Sequence, residues 1–165
     1  MIIKALNIAA EAHRNQERRG TKLPYIIHPV TVSFLLAKYK TSKYLEELSC
    51  ASILHDCIED TTLTFDDINN SFGPMVASLV FELTSDTDII KEVGKNRYLM
   101  TKMTGMSSYG LTLKLCDRLA NIMDGPSDQY QIDTTNLVKH IRKNRKLTKT
   151  QKRIIKDILK ITKAK

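Results

Sequence analysis

The sequence predicts an all-α fold, a single-domain bundle of about eight to nine helices. Apolar residues recur three and four positions apart through most of the 165 residues, which is the spacing of one helix face. No stretch shows the convincing alternation of apolar and polar residues that a half-buried strand requires. The apolar content of 42% and the charged content of 27% are ordinary for a globular protein. At this length a single domain, residues 1–165, can bury a substantial core.

Five helices are predicted in the first half of the chain. The first carries an apolar stripe and ends at Arg18 and Arg19, whose charges suit a helix C-terminus, before Gly20 breaks it. Pro29 suits the first position of the next helix. A Gly-Pro pair separates the fourth helix from the fifth. The predicted helices cover residues 2–18, 29–39, 43–58, 65–72 and 75–83.

Four more helices follow, separated by a polar loop at 85–88 and by glycine-containing loops at 105–110 and 125–127. They cover residues 89–103, 111–123, 129–143 and 148–162, so the C-terminal helices begin at about residue 129. In the last of them Ile154, Ile155, Ile158 and Leu159 recur at helical spacing. This pattern predicts a docked helix with a solvated lysine face.

The net charge of +8 is concentrated at the C-terminus. Residues 138–165 carry 12 Lys and Arg against one acid, a balance of +11, whereas residues 1–137 carry a balance of −3. Such a charge run is most often solvated surface. The alternatives are attraction of a polyanionic ligand or of RNA, and nucleic-acid binding is the less favoured of the two interpretations.

Several features predict a cytoplasmic protein that does not contact a membrane. Met1 opens directly into an amphipathic pattern without the layout of a signal peptide, and no apolar run is long enough to span a bilayer. The three cysteines form no Cys-x-x-Cys pair, and their odd number argues against a disulfide framework. The oligomeric state stays open at this point.

A cluster of ionisable residues follows the apolar run at 48–54. His55, Asp56, Glu59 and Asp60 lie within six positions, and on a helix residues three and four apart share a face. Three carboxylates and an imidazole crowded at one helix end are unfavourable unless a cation lies among them. Without one, the carboxylates repel one another or the pKa values of the groups shift. A divalent metal is therefore predicted here. The alternative is a frayed helix end with solvated acids.

Other side chains could join this cluster. His28 precedes a helix start, where a capping or core role is the alternative. Asp117 lies within an otherwise apolar helix and needs a partner, which Lys114 or Arg118 could provide, and Asn121 is one turn further on the same face. For Arg18 there are two interpretations: it binds a phosphate, or it only caps the predicted helix end.

Five short motifs occur in order between about residue 5 and residue 125. They are His13-x-x-Gln16-x-Arg18, Pro24-Tyr25-Ile26-x-His28-Pro29, Leu54-His55-Asp56-x-x-Glu59-Asp60-Thr61, Phe72-Gly73 and Lys114-Leu115-x-Asp117-Arg118-Leu119-x-Asn121. Together they resemble the hydrolase domain of the RelA/SpoT homologues, in the HD superfamily of metal-dependent phosphohydrolases. By length the chain is most similar to the small stand-alone Mesh-type alarmone hydrolases.

The resemblance implies a fold, an activity and a set of roles. The fold would be the HD-type helical bundle, and the activity would be hydrolysis of the 3′-diphosphate of (p)ppGpp, an alarmone of the stringent response, to pyrophosphate and GDP or GTP. The metal would be one Mn²⁺, although the same donors suit Fe²⁺ or Zn²⁺. The implied roles are metal binding for His28, His55, Asp56 and Asp117, catalysis for Glu59 and Asp60, and nucleotide contact for Arg18 and Asn121.

Lys95 and Arg97 are further candidates to neutralise substrate phosphates. The chain departs from the family pattern at an extra residue between Arg18 and Pro24, at Cys116 and at Ala120, and these last two changes could alter a base pocket. Two other hypotheses remain. One is a related phosphohydrolase acting on (p)ppApp or on the 2′-phosphate of NADPH, and the other is a basic helical module that binds nucleic acid without catalysis.

Overall fold

Residues 1–163 form eleven helices and no strand in the computed structural model, which describes those residues; the last two residues of the predicted domain lie outside them. The predicted all-α class is therefore confirmed for the described part of the chain. The chain forms two compact units, Met1–Thr84 and Ser85–Lys165.

The first unit contains six helices: α1 (Ile2–Ala12), α2 (Ile27–Tyr39), α3 (Leu45–Ile53), α4 (Cys57–Asp60), α5 (Phe65–Phe72) and α6 (Pro74–Leu83). Local signals define several of their ends. Thr64 accepts from the N–H of Asp67 while the Asp67 carboxylate accepts from the N–H of Thr64, which is a capping box at the start of α5. Gly73, with a φ of 84°, ends α5 and precedes the proline at the start of α6.

Helix α3 is the centre of the first unit. It packs against α1, α2 and α6, and its six residues from Leu48 to Ile53 are all buried. Because both serines among them are buried, their hydroxyls donate to backbone carbonyls within the helix: Ser49 to Leu45 and Ser52 to Ser49. The side chains that follow α3 in sequence therefore start from a fixed position.

The prediction that the first helix extends to Arg18 is wrong. Helix α1 ends at Ala12, and residues 13–26 form an irregular segment held by backbone hydrogen bonds. The N–H of Tyr25 donates to the carbonyl of Gln16, and the N–H of Arg18 donates to the carbonyl of Leu23. The chain thus pairs with itself across Gly20, whose φ of 76° permits the reversal. Arg18 and Arg19 accordingly do not end a helix.

Two other predicted helices are each divided. The segment 43–58 breaks between α3 and α4, where the N–H of Cys57 donates to the carbonyl of Leu54 in a tight turn. The segment 89–103 breaks at Gly94, whose φ of 83° cannot continue a right-handed helix. These divisions, rather than new segments of chain, raise the number of helices above the predicted eight to nine.

The second unit contains five helices: α7 (Thr87–Val93), α8 (Lys95–Gly105), α9 (Ser108–Met123), α10 (Asp128–Asn144) and α11 (Lys149–Lys163). Helix α9 packs against α11, and α10 packs against both α8 and α11. Most of α9 is buried, including its charged residues Lys114, Asp117 and Arg118. A helix that is buried on all sides must pair its polar groups with one another or with neighbouring helices.

Helix α11 is docked, as its apolar spacing predicts. Ile154, Ile155, Ile158 and Leu159 are buried, whereas the lysines at 152, 156 and 160 are exposed. Among the described residues, no helix combines the length and the apolarity needed to cross a membrane.

Candidate functional site

Three metal-type ligands converge in the first unit. His28 is the second residue of α2, and His55 and Asp56 occupy the break between α3 and α4. One donor atom from each residue lies within 4.8 Å of the other two. His28 and His55 are buried, with 4% and 1% exposure, and Asp56 is half-buried. The structure therefore brings together three of the four predicted metal ligands.

The Asp56 carboxylate lies between the two imidazoles. Its Oδ2 atom is 2.9 Å from Nε2 of His55 and 4.0 Å from Nε2 of His28. The ring centroids of the two histidines are 5.3 Å apart, in an edge-to-face arrangement. Both Nε2 atoms thus approach the same carboxylate oxygen.

Neighbouring groups orient two of these donors. Nδ1 of His55 is 2.8 Å from the backbone carbonyl of Ser52. Because a carbonyl only accepts, Nδ1 donates this hydrogen bond, and Nε2 is left as the ring nitrogen that can face a metal. The hydroxyl of Tyr25 donates to Oδ2 of Asp56 at 2.5 Å and so holds the carboxylate from the side of the irregular segment.

The donor set fits a divalent cation. Two imidazole nitrogens and one carboxylate oxygen form a mixed site suited to Mn²⁺, Fe²⁺ or Zn²⁺. Burial, followed by the charges of Asp56 and Asp60, raises the pKa of the adjacent Cys57 to about 12. Burial likewise raises the pKa of Cys50 to about 11 and that of Cys116 to about 12.

The two predicted catalytic acids follow in α4. Glu59 and Asp60 are exposed, two and three residues beyond the buried Cys57. Loss of hydration raises the pKa of the Asp60 carboxyl above its ordinary value, and the charges of Asp56 and Glu59 raise it further. A carboxyl with a raised pKa is a better proton acceptor than an ordinary aspartate, which suits a general base.

A hydrogen-bonded chain that the sequence did not assign supports α4. Nδ1 of His13 is 2.8 Å from Oε1 of Gln16, and Nε2 of Gln16 donates to the backbone carbonyl of Asp60 at 2.7 Å. Nε2 of His13 is 3.6 Å from the sulfur of Cys57, and the ring of Tyr25 packs on His13 at 4.8 Å. The sequence placed His13 in the first motif but gave it no role. Its place beside Gln16 and Tyr25 in the first two motifs was the available signal.

Arg18 lies in the reversal of the irregular segment and is half-buried. Its backbone is fixed on both sides, because its N–H donates to Leu23 and its carbonyl accepts from the N–H and hydroxyl of Thr21. The side chain therefore projects from a constrained loop rather than from a helix end. Its phosphate-binding role stays a prediction.

The remaining predicted residues lie in the second unit. Nζ of Lys114 is 3.1 Å from Oδ2 of Asp117, and Nδ2 of Asn121 donates to Oδ1 of Asp117 at 2.6 Å. The ion-pair alternative is thus satisfied by Lys114, whereas the guanidinium of Arg118 stacks 4.9 Å from the ring centroid of Tyr130. The metal-binding role of Asp117 and the nucleotide contact of Asn121 stay predictions.

Lys95 and Arg97 occupy the first turn of α8 and are both exposed. Cations are unfavourable at a helix N-terminus, where the unpaired N–H groups and the helix dipole already attract negative charge. An anion at this end would be stabilised by the side chains and the backbone together. The geometry is compatible with the predicted phosphate contacts, which stay predictions.

Comparison with known proteins shows the family to which the chain belongs. The sequence model of the HD-domain family matches residues 5–131. A guanosine-3′,5′-bis(diphosphate) 3′-pyrophosphohydrolase, MESH1, from Xenopus tropicalis is 36% identical over 125 residues, which are 75% of this chain and 69% of that protein. A protein with the same enzymatic name from Aquifex aeolicus is 37% identical over 123 residues, 73% of this chain and 17% of the other.

A solved structure extends the similarity to the fold. The structure of a metazoan orthologue of SpoT, described as hydrolysing ppGpp, superposes with a TM-score of 0.81 at 28% identity. The superposition covers 96% of this chain and 93% of the other. The HD-type helical fold predicted from the motifs is thereby confirmed.

The three converging ligands His28, His55 and Asp56, which we call the triad, lead to a direct prediction for metal binding. Replacing a ligand in His55→Ala or Asp56→Asn removes one of three donors, so we expect the affinity for Mn²⁺ to fall by more than about tenfold. Titration calorimetry of metal-free protein with Mn²⁺ measures this. His140→Ala, on α10 and outside the triad, is the matched control and keeps the parental affinity. Equal affinities in all the variants would show that the triad does not hold the metal.

Proposed function

We propose that this chain, which belongs to the HD-domain family, is a metal-dependent hydrolase that removes the 3′-diphosphate of (p)ppGpp. The observation that carries the proposal is the convergence of His28, His55 and Asp56 in a chain that shares 36% identity with a guanosine-3′,5′-bis(diphosphate) 3′-pyrophosphohydrolase. Water would attack the phosphorus nearest the ribose 3′ oxygen. The P–O bond to that oxygen would break, giving GDP or GTP and pyrophosphate.

The metal that we propose is Mn²⁺, with Fe²⁺ or Zn²⁺ as alternatives that the same donors accept. His28, His55 and Asp56 would hold it, and Asp117 is proposed as a further ligand on the strength of the resemblance. When bound, such a cation lowers the pKa of a coordinated water from about 15.7 to about 7. The hydrogen bond from Tyr25 to Asp56 and that from His55 to Ser52 keep two of the donors oriented before the cation arrives.

Glu59 and Asp60 would position the attacking water and accept its proton. Both lie within four residues of Asp56 and are exposed, so a water and a substrate phosphate can reach them. The raised pKa of Asp60 favours proton uptake at this position. The proton would then pass to the 3′ oxygen as the leaving alcohol forms, which balances the reaction.

Basic residues would neutralise the substrate. Arg18, Lys95 and Arg97 are proposed to contact phosphate oxygens, and Asn121 is proposed to contact the nucleoside. Helix α8 supports this assignment for Lys95 and Arg97, because its first turn adds unpaired backbone N–H groups to their charges. We also propose a cytoplasmic location, since the three cysteines are free thiols in this structure.

Two alternative functions are separable by experiment. A related activity on (p)ppApp or on the 2′-phosphate of NADPH would use the same metal and the same acids. A non-enzymatic, nucleic-acid-binding module would need the basic helices but not the triad. The hydrogen bonds that Tyr25 makes to Asp56 and that His55 makes to Ser52 favour an enzyme. A metal site that had lost its function would not need its ligands held in this way.

The proposed acids give the sharpest test of catalysis. We expect Glu59→Gln and Asp60→Asn each to reduce pyrophosphate release from ppGpp by at least about 100-fold, because proton transfer is lost while the ligands remain. Steady-state assays with Mn²⁺ measure the rate, and calorimetry confirms that Mn²⁺ still binds. Asp66→Asn, an exposed acid on α5, is the control and retains full activity. Wild-type rates in both variants would contradict the assigned roles.

Gln16 is predicted to position α4. Removing its hydrogen bond to the Asp60 carbonyl in Gln16→Ala should lower kcat by about tenfold, since small displacements of catalytic groups are costly. Metal affinity should stay unchanged because the ligands are not contacted by Gln16. Asn15→Ala, at the exposed neighbouring position, serves as the control. A loss of Mn²⁺ binding together with activity would indicate a general structural role instead.

A substrate panel separates the alternatives. With Mn²⁺ present, we expect the purified chain to release pyrophosphate from ppGpp with a higher kcat/KM than from ppApp, and to release less phosphate from NADPH. Reversal of that order would transfer the proposal to the other substrate. No hydrolysis of any of the three by metal-loaded protein would leave the nucleic-acid-binding alternative.

A further inference from the structure

One concave surface of the second unit is lined by basic side chains. A cavity of about 790 Å³ lies between the C-terminal end of α10, the connecting segment at 145–148 and one face of α11. Its charged lining consists of Arg142, Arg145, Lys146, Lys152, Lys156 and Lys160, so every ionisable side chain among the described lining residues is basic. We call this cavity the basic groove.

The walls of the basic groove are held in place. Gln151, which is fully buried, donates through Nε2 to the carbonyl of Ser108 at 2.9 Å and to the hydroxyl of Thr112 at 3.3 Å, which ties α11 to α9. Nη1 of Arg145 donates to three backbone carbonyls at the end of α8, those of Met103, Thr104 and Met106. The positive charges therefore project from a fixed frame rather than from a mobile tail.

The charges are arranged to act together. Lys152, Lys156 and Lys160 recur every four residues on α11, so their Cα atoms are about 6 Å apart along the helix axis. Arg142, Arg145 and Lys146 supply charge from the other side of the cavity. Like charges on facing walls repel one another, and a multiply charged anion between them reverses that repulsion. The frame keeps the charges together without such an anion.

The composition of the groove narrows the class of ligand. The rest of its described lining is aliphatic, namely Leu147, Ile155 and Leu159, which offers no ring for the stacking of unpaired bases. The apolar face of α11 is buried against its own unit, so the helix has no apolar stripe to insert into a lipid surface. The volume of the basic groove, about 790 Å³, is in the range of sites that bind a small ligand.

We propose that the basic groove binds a compact oligophosphate, either an inorganic chain or a nucleotide that carries three or more phosphates. The site shares no residue with the metal triad, and it does not depend on the proposed hydrolysis. Its function would be to retain or sense a polyphosphate ligand at a second position on the chain. The shared chemistry is the phosphate chain, and the base is not specified by the lining.

Binding of tripolyphosphate and of GTP to the full chain tests this proposal. Calorimetry is done at low ionic strength with a chelator present, so that no metal at the triad contributes. We expect both ligands to bind, and Lys152→Gln/Lys156→Gln to weaken binding by at least about tenfold through the loss of two charged contacts. Lys143→Gln/Lys149→Gln removes the same charge from exposed positions outside the lining and should change binding by less than about twofold.

The arms of the experiment distinguish the sources and the competing explanations. Equal binding of tripolyphosphate and GTP identifies the phosphate chain as the recognised group, and tighter binding of GTP adds the nucleoside; both support the proposal. Equal weakening in the two double variants would reduce the groove to diffuse surface charge and overturn it. Tighter binding of a duplex RNA than of either small ligand, or no binding of tripolyphosphate and GTP, would also overturn it.

Discussion

The break in the helix at residues 54–56 is the constraint on which the candidate site depends. In an uninterrupted helix the carbonyl of Ser52 would accept from the N–H of residue 56. Here it accepts from Nδ1 of the His55 imidazole, and that bond holds the ring with Nε2 directed to Asp56. The same break lets His55 and Asp56, adjacent in sequence, place Nε2 and Oδ2 within 2.9 Å of each other. Adjacent residues on a regular helix would point about 100° apart.

The irregular segment at 13–26 completes this arrangement from the other side. It delivers the Tyr25 hydroxyl to Asp56 and the Gln16 amide to the Asp60 carbonyl, so one loop supports both the ligands and the acids. It also leads into α2, whose second residue is His28. Enzymes need their catalytic side chains within about 0.5 Å of the productive geometry. When one loop positions several of these side chains, fewer independent elements have to be placed correctly.

Acidic and basic residues are concentrated in different parts of the chain. The proposed ligand Asp56 and the proposed catalytic acids Glu59 and Asp60 lie in α4 and the break before it, whereas many basic residues are gathered in α10, α11 and their connection. Burial of the isoleucines of α11 leaves Lys152, Arg153, Lys156 and Lys160 exposed on the opposite side of that helix. A solvated lysine face and a phosphate-binding groove have the same sequence pattern, and their difference lies in concavity.

The sequence by itself determined the helical class, the docked C-terminal helix and the chemical identity of the donors, because helical spacing and residue chemistry are local properties. It also placed Asn121 on the same face as Asp117 and left Lys114 and Arg118 as alternative partners, between which the structure selects Lys114. Only the tertiary structure decided where α1 ends, since that depends on pairing between Gln16 and Tyr25 across the chain reversal. It likewise decided that His28 meets the His55–Asp56 pair and that the basic residues line a cavity. Those outcomes depend on packing between elements distant in sequence, which no local pattern encodes.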